Sequence, residues 1–244
     1  MTQLDDAPKE QRTDPRPEEQ LREIAGEAAQ RLTGADARDV IAWAVQEFGP
    51  RWAIASSMQD AVLPHLVASV APGVDVLFLE TGYHFPQTLA TRDLVAQRYA
   101  VTVRDVTPRQ SVAEQDAQYG AELFARDPDL CCFLRKENPL AEALAGYEAW
   151  GTGLRRQESS TRADAVEVGW DDAHGLIKIN PIVRWTDEQV AAYCAEHDVI
   201  RNPLLDRGYP SIGCATCTRA VKPGEDPRAG RWAGTAKTEC GIHR

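Results

Sequence analysis

From Trp52 onward the chain alternates short apolar runs with longer amphipathic ones, and nothing else in the sequence restricts the fold as much. WAIAS, VDVLFL and VTVRDV have strand length, while residues 60–70 and 86–99 between them carry helical spacing. Such repeated strand and helix predicts an α/β fold with a mostly parallel, doubly wound sheet. LIKINPI reads as a further strand, and Thr186-Asp-Glu-Gln189 has the capping-box spacing that opens a helix through about His197. Ahead of the sheet, Leu21, Ile24, Ala28 and Leu32 recur at helical spacing, as do Val40, Ile41, Ala44, Val45 and Phe48, so two helices are predicted there.

With 244 residues, 43% of them hydrophobic, the chain can bury the core of one large domain, expected over residues 20–232. Residues 1–19 are rich in Pro, Asp, Glu and Gln and are expected to stay disordered, because little apolar surface offsets the entropy of ordering. Residues 233–244 are expected to form a flexible C-terminal tail. No apolar run resembles a signal peptide, and none approaches the roughly 18 residues of a membrane span, so a soluble, cytoplasmic protein is expected. The net charge of -10 is uneven. Residues 201–244 carry eight Lys or Arg against four acids, a local +4, which leaves -14 for the remainder. A basic end on an acidic protein suits a small anionic ligand and argues against nucleic acid as the partner.

Ligands of open parallel sheets bind at the carboxyl ends of strands, so the segments just after them are where chemistry belongs. Ser56-Ser57-Met58-Gln59-Asp60 follows the first strand; its hydroxyls and helix-start amides suit an oxyanion, although ordinary strand-to-helix turns also carry serines. Glu80-Thr-Gly-Tyr-His84 follows the second, where Gly82 permits a tight turn and His84 reads as a surface or packing histidine and not a catalyst.

The cysteines carry more information. Cys131-Cys132 and the later Cys214-Ala-Thr-Cys217 offer four thiolates for zinc or an iron-sulfur cluster. Adjacent cysteines are poorly placed to chelate one tetrahedral ion, yet each can bind a different iron of a cubane, so the cluster is favoured. Cys194 shares a helix stripe with Val190, Tyr193 and His197 and reads as core. Cys240 lies near the end, beside Lys237, His243 and Arg244, which favour a thiolate, and Gly241, which leaves room for approach. Reactive nucleophile and unremarkable terminal cysteine both fit those neighbours. Arg155-Arg156, Arg228 and Arg231 suit phosphate or sulfate, or simple solvation. Lys136 either places a cation between the cluster and a bound anion or is an exposed helix lysine.

Taken together, SSMQDAVL, LFLETGYHFPQT, CCFLRKENPL, WGTGLRRQES, KINPIVRWTDEQV, YPSIGCATCT, RAGRWAG and KTECGIH, in that order, resemble the sulfonucleotide reductases. Within them the resemblance is to assimilatory adenylyl-sulfate reductases that carry a 4Fe-4S cluster. It implies an adenine nucleotide alpha hydrolase-like, PP-loop-related fold. It further implies that Cys131, Cys132, Cys214 and Cys217 ligate the cluster and that Cys240 is the nucleophile. Lys136, Arg228 and Arg231 would contact sulfate and phosphate, and Ser56, Ser57, Gly153 and Arg156 would line the nucleotide site. The implied reaction is reduction of adenosine 5'-phosphosulfate to sulfite and AMP through an S-sulfocysteine on Cys240. Thioredoxin would be the electron donor and cysteine biosynthesis the destination; a homo-oligomer is compatible with this.

The sequence departs from the PP-loop pyrophosphatases, whose Ser-Gly-Gly loop is replaced by Ser-Ser-Met-Gln-Asp, and that speaks against ATP cleavage. Glu80 stands where the family often has Asp. Two other activities bear on the same residues: reduction of the 3'-phosphorylated nucleotide, and ATP-dependent thiolation, which pyrophosphate release would reveal. A zinc-stabilised binding module is the non-enzymatic alternative.

Overall fold

The computed structural model describes residues 15–235, 237 and 239–243. Two helices, α1 (Glu18–Arg31) and α2 (Ala37–Phe48), precede the first strand, β1 (Trp52–Ala55). Then come α3 (Val62–Val70), β2 (Asp75–Leu79), α4 (Pro86–Arg98) and β3 (Thr102–Val106). Four short helices follow, α5 (Val112–Tyr119), α6 (Leu123–Arg126), α7 (Pro128–Cys132) and α8 (Asn138–Leu144), then β4 (Ala149–Thr152), β5 (Val168–Asp171), β6 (Leu176–Ile179) and α9 (Asp187–Glu196).

Among the described residues the strands form one sheet in the order β3-β2-β1-β4-β6-β5, parallel except for the β5 edge. Successive strand side chains point to opposite faces, and the core divides accordingly. Trp52, Ile54, Val76 and Phe78 join the larger cluster, with α1, α2, α3 and α9; Ala53, Leu77 and Trp150 join the second, with Leu140 and Leu144 of α8. Both faces are therefore covered by helices, as the alternating sequence predicts, and each large buried side chain contributes about 1.5–3 kcal/mol.

Strand order reverses at β1. The chain runs from β1 outward to β2 and β3, then returns to place β4 on the other side of β1. The carboxyl ends of β1 and β4 therefore flank the crevice where such sheets take ligands.

One boundary differs from expectation. The disordered segment expected to reach residue 19 ends earlier, since α1 begins at Glu18 and Arg16 pairs with Glu148 at 2.8 Å and with Glu47 at 2.5 Å. The cause is Glu148, whose side chain is 1% exposed and which therefore needs cations; Arg16 and Arg51 supply them. Residues 1–14 lie outside the described residues. At the other end, within the segment expected to be flexible, Lys237 and Cys240 are buried against the domain. Among the described residues no helix is long and apolar enough to cross a membrane.

Candidate functional site

The β1 loop is built on strain and internal bonding. Met58 is fully buried at a φ of 57°, an uncommon left-handed conformation for a non-glycine residue. The Ser56 hydroxyl accepts from the Met58 amide, Ile200 accepts from the Ala61 amide, and Asp60 accepts from the Val62 amide. The Met58, Ala61 and Val62 amides thus have internal partners, while Ser57 is exposed at this loop. Across the crevice, Gly153 follows β4 and Arg156 donates from Nε to the Ala165 carbonyl at 2.7 Å. Its neighbour Arg155 is occupied by Asp187 at 2.8 Å and by Glu158, a structural role.

The four cysteines come together. Asp127 caps α7 through the Leu130 amide, and Pro128 opens it, so the helix presents Cys131 and Cys132 in its last turn. A π-helical turn, Phe133–Glu137, follows directly; its wider winding carries Arg135 and Lys136. The second pair sits on a tight turn closed by the Cys217 amide on the Cys214 carbonyl, and the Ala215 amide ties that turn to the Tyr83 carbonyl at 2.7 Å. Gly82, at a φ of 76°, makes the β2 loop possible, because a side chain there would also meet Val112 at 2.9 Å. A small pocket results, lined by Cys131, Cys132, Cys214, Cys217, Lys136 and Trp232 among others. Thr81 Oγ1 lies 3.3 Å from Cys214 Sγ.

Burial pushes the Cys131 thiol up to about 11, helped by Cys214 and Cys217, and burial also raises Cys217. Such thiols ionise readily only when a metal centre balances their charge. Among the described residues no group of three or more His, Cys, Asp or Glu side chains is arranged to hold a metal ion. The thiols instead line a cavity, and four sulfur donors of this kind fit an iron-sulfur cluster.

Cys240 is 6% exposed and touches this centre. Its thiol is held well below the ordinary range: the neighbouring Cys132 thiol, Lys136, the Ile242 amide and Arg231 outweigh the burial that opposes ionisation. Burial works against the Lys136 charge, but the sulfurs of Cys214, Cys240 and Cys132 raise its pKa on balance. Arg231 is lowered, first by burial and then by Arg228. One of its nitrogens reaches Ser211 at 3.2 Å, its guanidinium lies 4.5 Å from the Trp232 ring centre, and its Nε is buried without a partner. A buried guanidinium with an unmet donor is suited to an oxyanion. Its placement depends on Gly230, where a Cβ would stand 2.2 Å from the Arg219 carbonyl oxygen.

Several residues here carried no sequence signal. Arg135 is 4% exposed and clamps the β2 loop through the Thr81 carbonyl and Gln115. Arg162 joins Arg228, itself a sequence candidate, on Glu239 of the tail, each at 2.9 Å. Arg162 and Glu239 stand 77 residues apart, beyond any local pattern. His84 packs on Phe78 and bonds the Leu79 carbonyl, and Cys194 is core, both as read from sequence.

The chain matches the phosphoadenosine phosphosulfate reductase domain over residues 51–220. The adenosine 5'-phosphosulfate reductase of Streptomyces coelicolor is 57% identical over 225 residues, covering 92% of this chain and 95% of its own. That of Mycobacterium tuberculosis is 49% identical over 243 residues, covering 93% and 96%. Among solved structures, the phosphoadenylyl-sulfate reductase of Candida auris, a phosphate complex, superposes with a TM-score of 0.67 at 30% identity, covering 79% of this chain and 95% of that one. The Candida glabrata FMN adenylyltransferase, with a TM-score of 0.55 at 11% identity over 86% of this chain and 78% of its own, shares the fold alone. The PP-loop-related sheet, the cysteine-lined cavity and identity along most of the chain agree: this protein belongs to the phosphoadenosine phosphosulfate reductase family, the sulfonucleotide reductases.

Proposed function

We propose that the chain is an assimilatory adenylyl-sulfate reductase, which converts adenosine 5'-phosphosulfate to sulfite and AMP in the cytoplasm, with thioredoxin as donor, on the route to cysteine. The observation that carries this reading is the position of Cys240, buried against the cysteine cavity with Lys136 and Arg231 as its cations. The names of the bacterial relatives favour the nucleotide without a 3'-phosphate.

The Cys240 thiolate attacks the sulfur of the sulfonyl group. A sulfur-sulfur bond forms, the bond from sulfur to the phosphate oxygen breaks, and AMP leaves with the electron pair. Both reactants are anionic, so the fixed charges of Lys136, Arg228 and Arg231 act by stabilising the charge that builds on the phosphosulfate. Ser56, Ser57, Gly153 and Arg156 line the crevice for the nucleotide. A thioredoxin thiolate then attacks Cys240 Sγ, sulfite departs with the bonding pair, and the partner's second thiol resolves the mixed disulfide. Two thiols thus supply the two electrons that take sulfate-level sulfur to sulfite. The second step needs Cys240 accessible, so the docked tail has to open for it. Cys131, Cys132, Cys214 and Cys217 would hold a 4Fe-4S cluster, which when bound supplies structural and electrostatic support beside Lys136.

Sulfite release by anaerobically purified protein with reduced thioredoxin tests the reading, each nucleotide being offered separately. Sulfite mainly from adenylyl sulfate is expected. Preference for the 3'-phosphorylated form moves the specificity, and absence of sulfite from both overturns the proposal.

A further inference from the structure

Three residues in alternate positions grip the tail to three different elements. Lys237 Nζ pairs with Asp129 of α7 at 2.5 Å. Gly241 sits so close to Glu137 of the π-helical turn that a Cβ there would overlap its carboxylate. Glu239, between them, faces the loop after β4. Its Oε1 accepts from Arg162 Nη2 at 2.9 Å, from Arg228 Nη2 at 2.9 Å and from the amide of Cys240 at 3.0 Å. Its Oε2 accepts from Arg162 Nε at 3.0 Å, completing a two-pronged fork. The Arg162 and Glu239 side chains are 10% and 12% exposed, and Glu158 holds Arg162 from behind at 2.5 Å.

This arrangement differs from a surface ion pair. Paired, parallel hydrogen bonds between guanidinium and carboxylate fix direction as well as distance, and shielding from water strengthens them. The same carboxylate oxygen binds the backbone of the very next residue, so whatever locates Glu239 also locates Cys240. We propose that Glu239 is a positioning residue: its clasp on Arg162 sets the register in which Cys240 is delivered to the substrate, and release of the clasp is the opening that exposes Cys240 to a reductant. The inference rests on Cys240 being the nucleophile.

The test uses the full-length, cluster-loaded protein without nucleotide, treated with iodoacetamide, the tail peptide being followed by mass spectrometry. Glu239→Gln keeps the shape and removes the charge; Arg162→Gln removes the fork from the other side. Each is expected to raise the rate of Cys240 alkylation about tenfold, and the double variant no further than Glu239→Gln alone, because the fork that Arg162→Gln removes is already lost in Glu239→Gln. Glu239→Asp, which keeps the charge on a shorter arm, is expected to fall between. In single turnover, adduct formation from adenylyl sulfate slows in Glu239→Gln, whereas thioredoxin releases sulfite from the preformed adduct at least as fast as in the parent. Unchanged alkylation in both single variants, additive effects in the double, or an equal rise at the buried Cys194 overturns the proposal; the last marks general unfolding. Expected alkylation together with no adduct in the parent protein would uphold the clasp and reject the reductase reading.

Discussion

The side chain of Cys240 lies beside that of Cys132, so the proposed nucleophile rests directly on a proposed cluster ligand. Lys136 and Arg231 are the cations beside it that favour the Cys240 thiolate.

Replacing Cys240 by Ser removes the nucleophile at almost constant volume. Turnover is expected to vanish while iron content and adenylyl sulfate binding persist. Sulfite release and calorimetric titration measure the two separately, and sulfite from the variant would refute the assignment.

Cys214→Ser removes a cavity-lining thiol and leaves Thr81 Oγ1, 3.3 Å away, beside a hydroxyl. Iron and acid-labile sulfide are expected to be lost from purified protein. Parent levels of both would show that the ligands lie elsewhere.

Arg231→Ala deletes a buried guanidinium whose Nε has no protein partner. By comparison with other oxyanion donors the loss should be about 3 kcal/mol, roughly 10²-fold in kcat/KM for adenylyl sulfate. An unchanged kcat/KM takes the residue out of the site.

At position 230 the nearest obstacle is backbone. Gly230→Ala puts a Cβ against the Arg219 carbonyl, and because a main chain yields less easily than a side chain, a loss of about 1–3 kcal/mol is expected. Thermal unfolding should show a lower Tm, and kcat/KM should fall with it as Arg231 shifts.

Glu239 also predicts a pH dependence. Burial opposes its charge, but the hydrogen bond from Arg162 and the charges of Arg162 and Arg228 bring its pKa down to about 2. A carboxylate depressed from the ordinary 4.5 contributes stability that is complete above that value and lost as pH falls through about 2. The difference in unfolding stability between parent and Glu239→Gln should therefore be constant above about pH 5 and shrink below it. A difference that does not shrink by pH 2 would mean the carboxylate's charge contributes nothing.

The strands β1, β2, β3 and β6, the helices α1 to α4 and the capped α9 were all legible because each is written in a local period of apolar residues. Strand β4 escaped that reading. AWGT is short and carries no periodicity, yet it lies next to β1 at the point where strand order reverses, and only pairing with Trp52–Ala55 makes it a strand. The antiparallel β5 and the π-helical turn after Cys132 were likewise invisible, since each depends on a neighbour distant in the chain or on a single extra residue of winding.

The four cavity cysteines and Cys240 could be picked out from the sequence because thiols are rare and their spacing is chemically restrictive. Lys136 entered as a cation close to Cys132, and Arg228 and Arg231 as clustered guanidiniums suited to phosphate or sulfate. What the sequence determined alone is therefore the periodic elements and the list of reactive groups. The tertiary structure decided which of those groups meet: that Glu239 binds Arg162, that Arg155 is spent on Asp187, and that Arg231 keeps a buried donor to spare. Periodicity and residue chemistry are properties of neighbours along the chain. Ion pairs and buried unmet donors are properties of neighbours in space, and those exist only once the sheet has brought its carboxyl edge and the tail together.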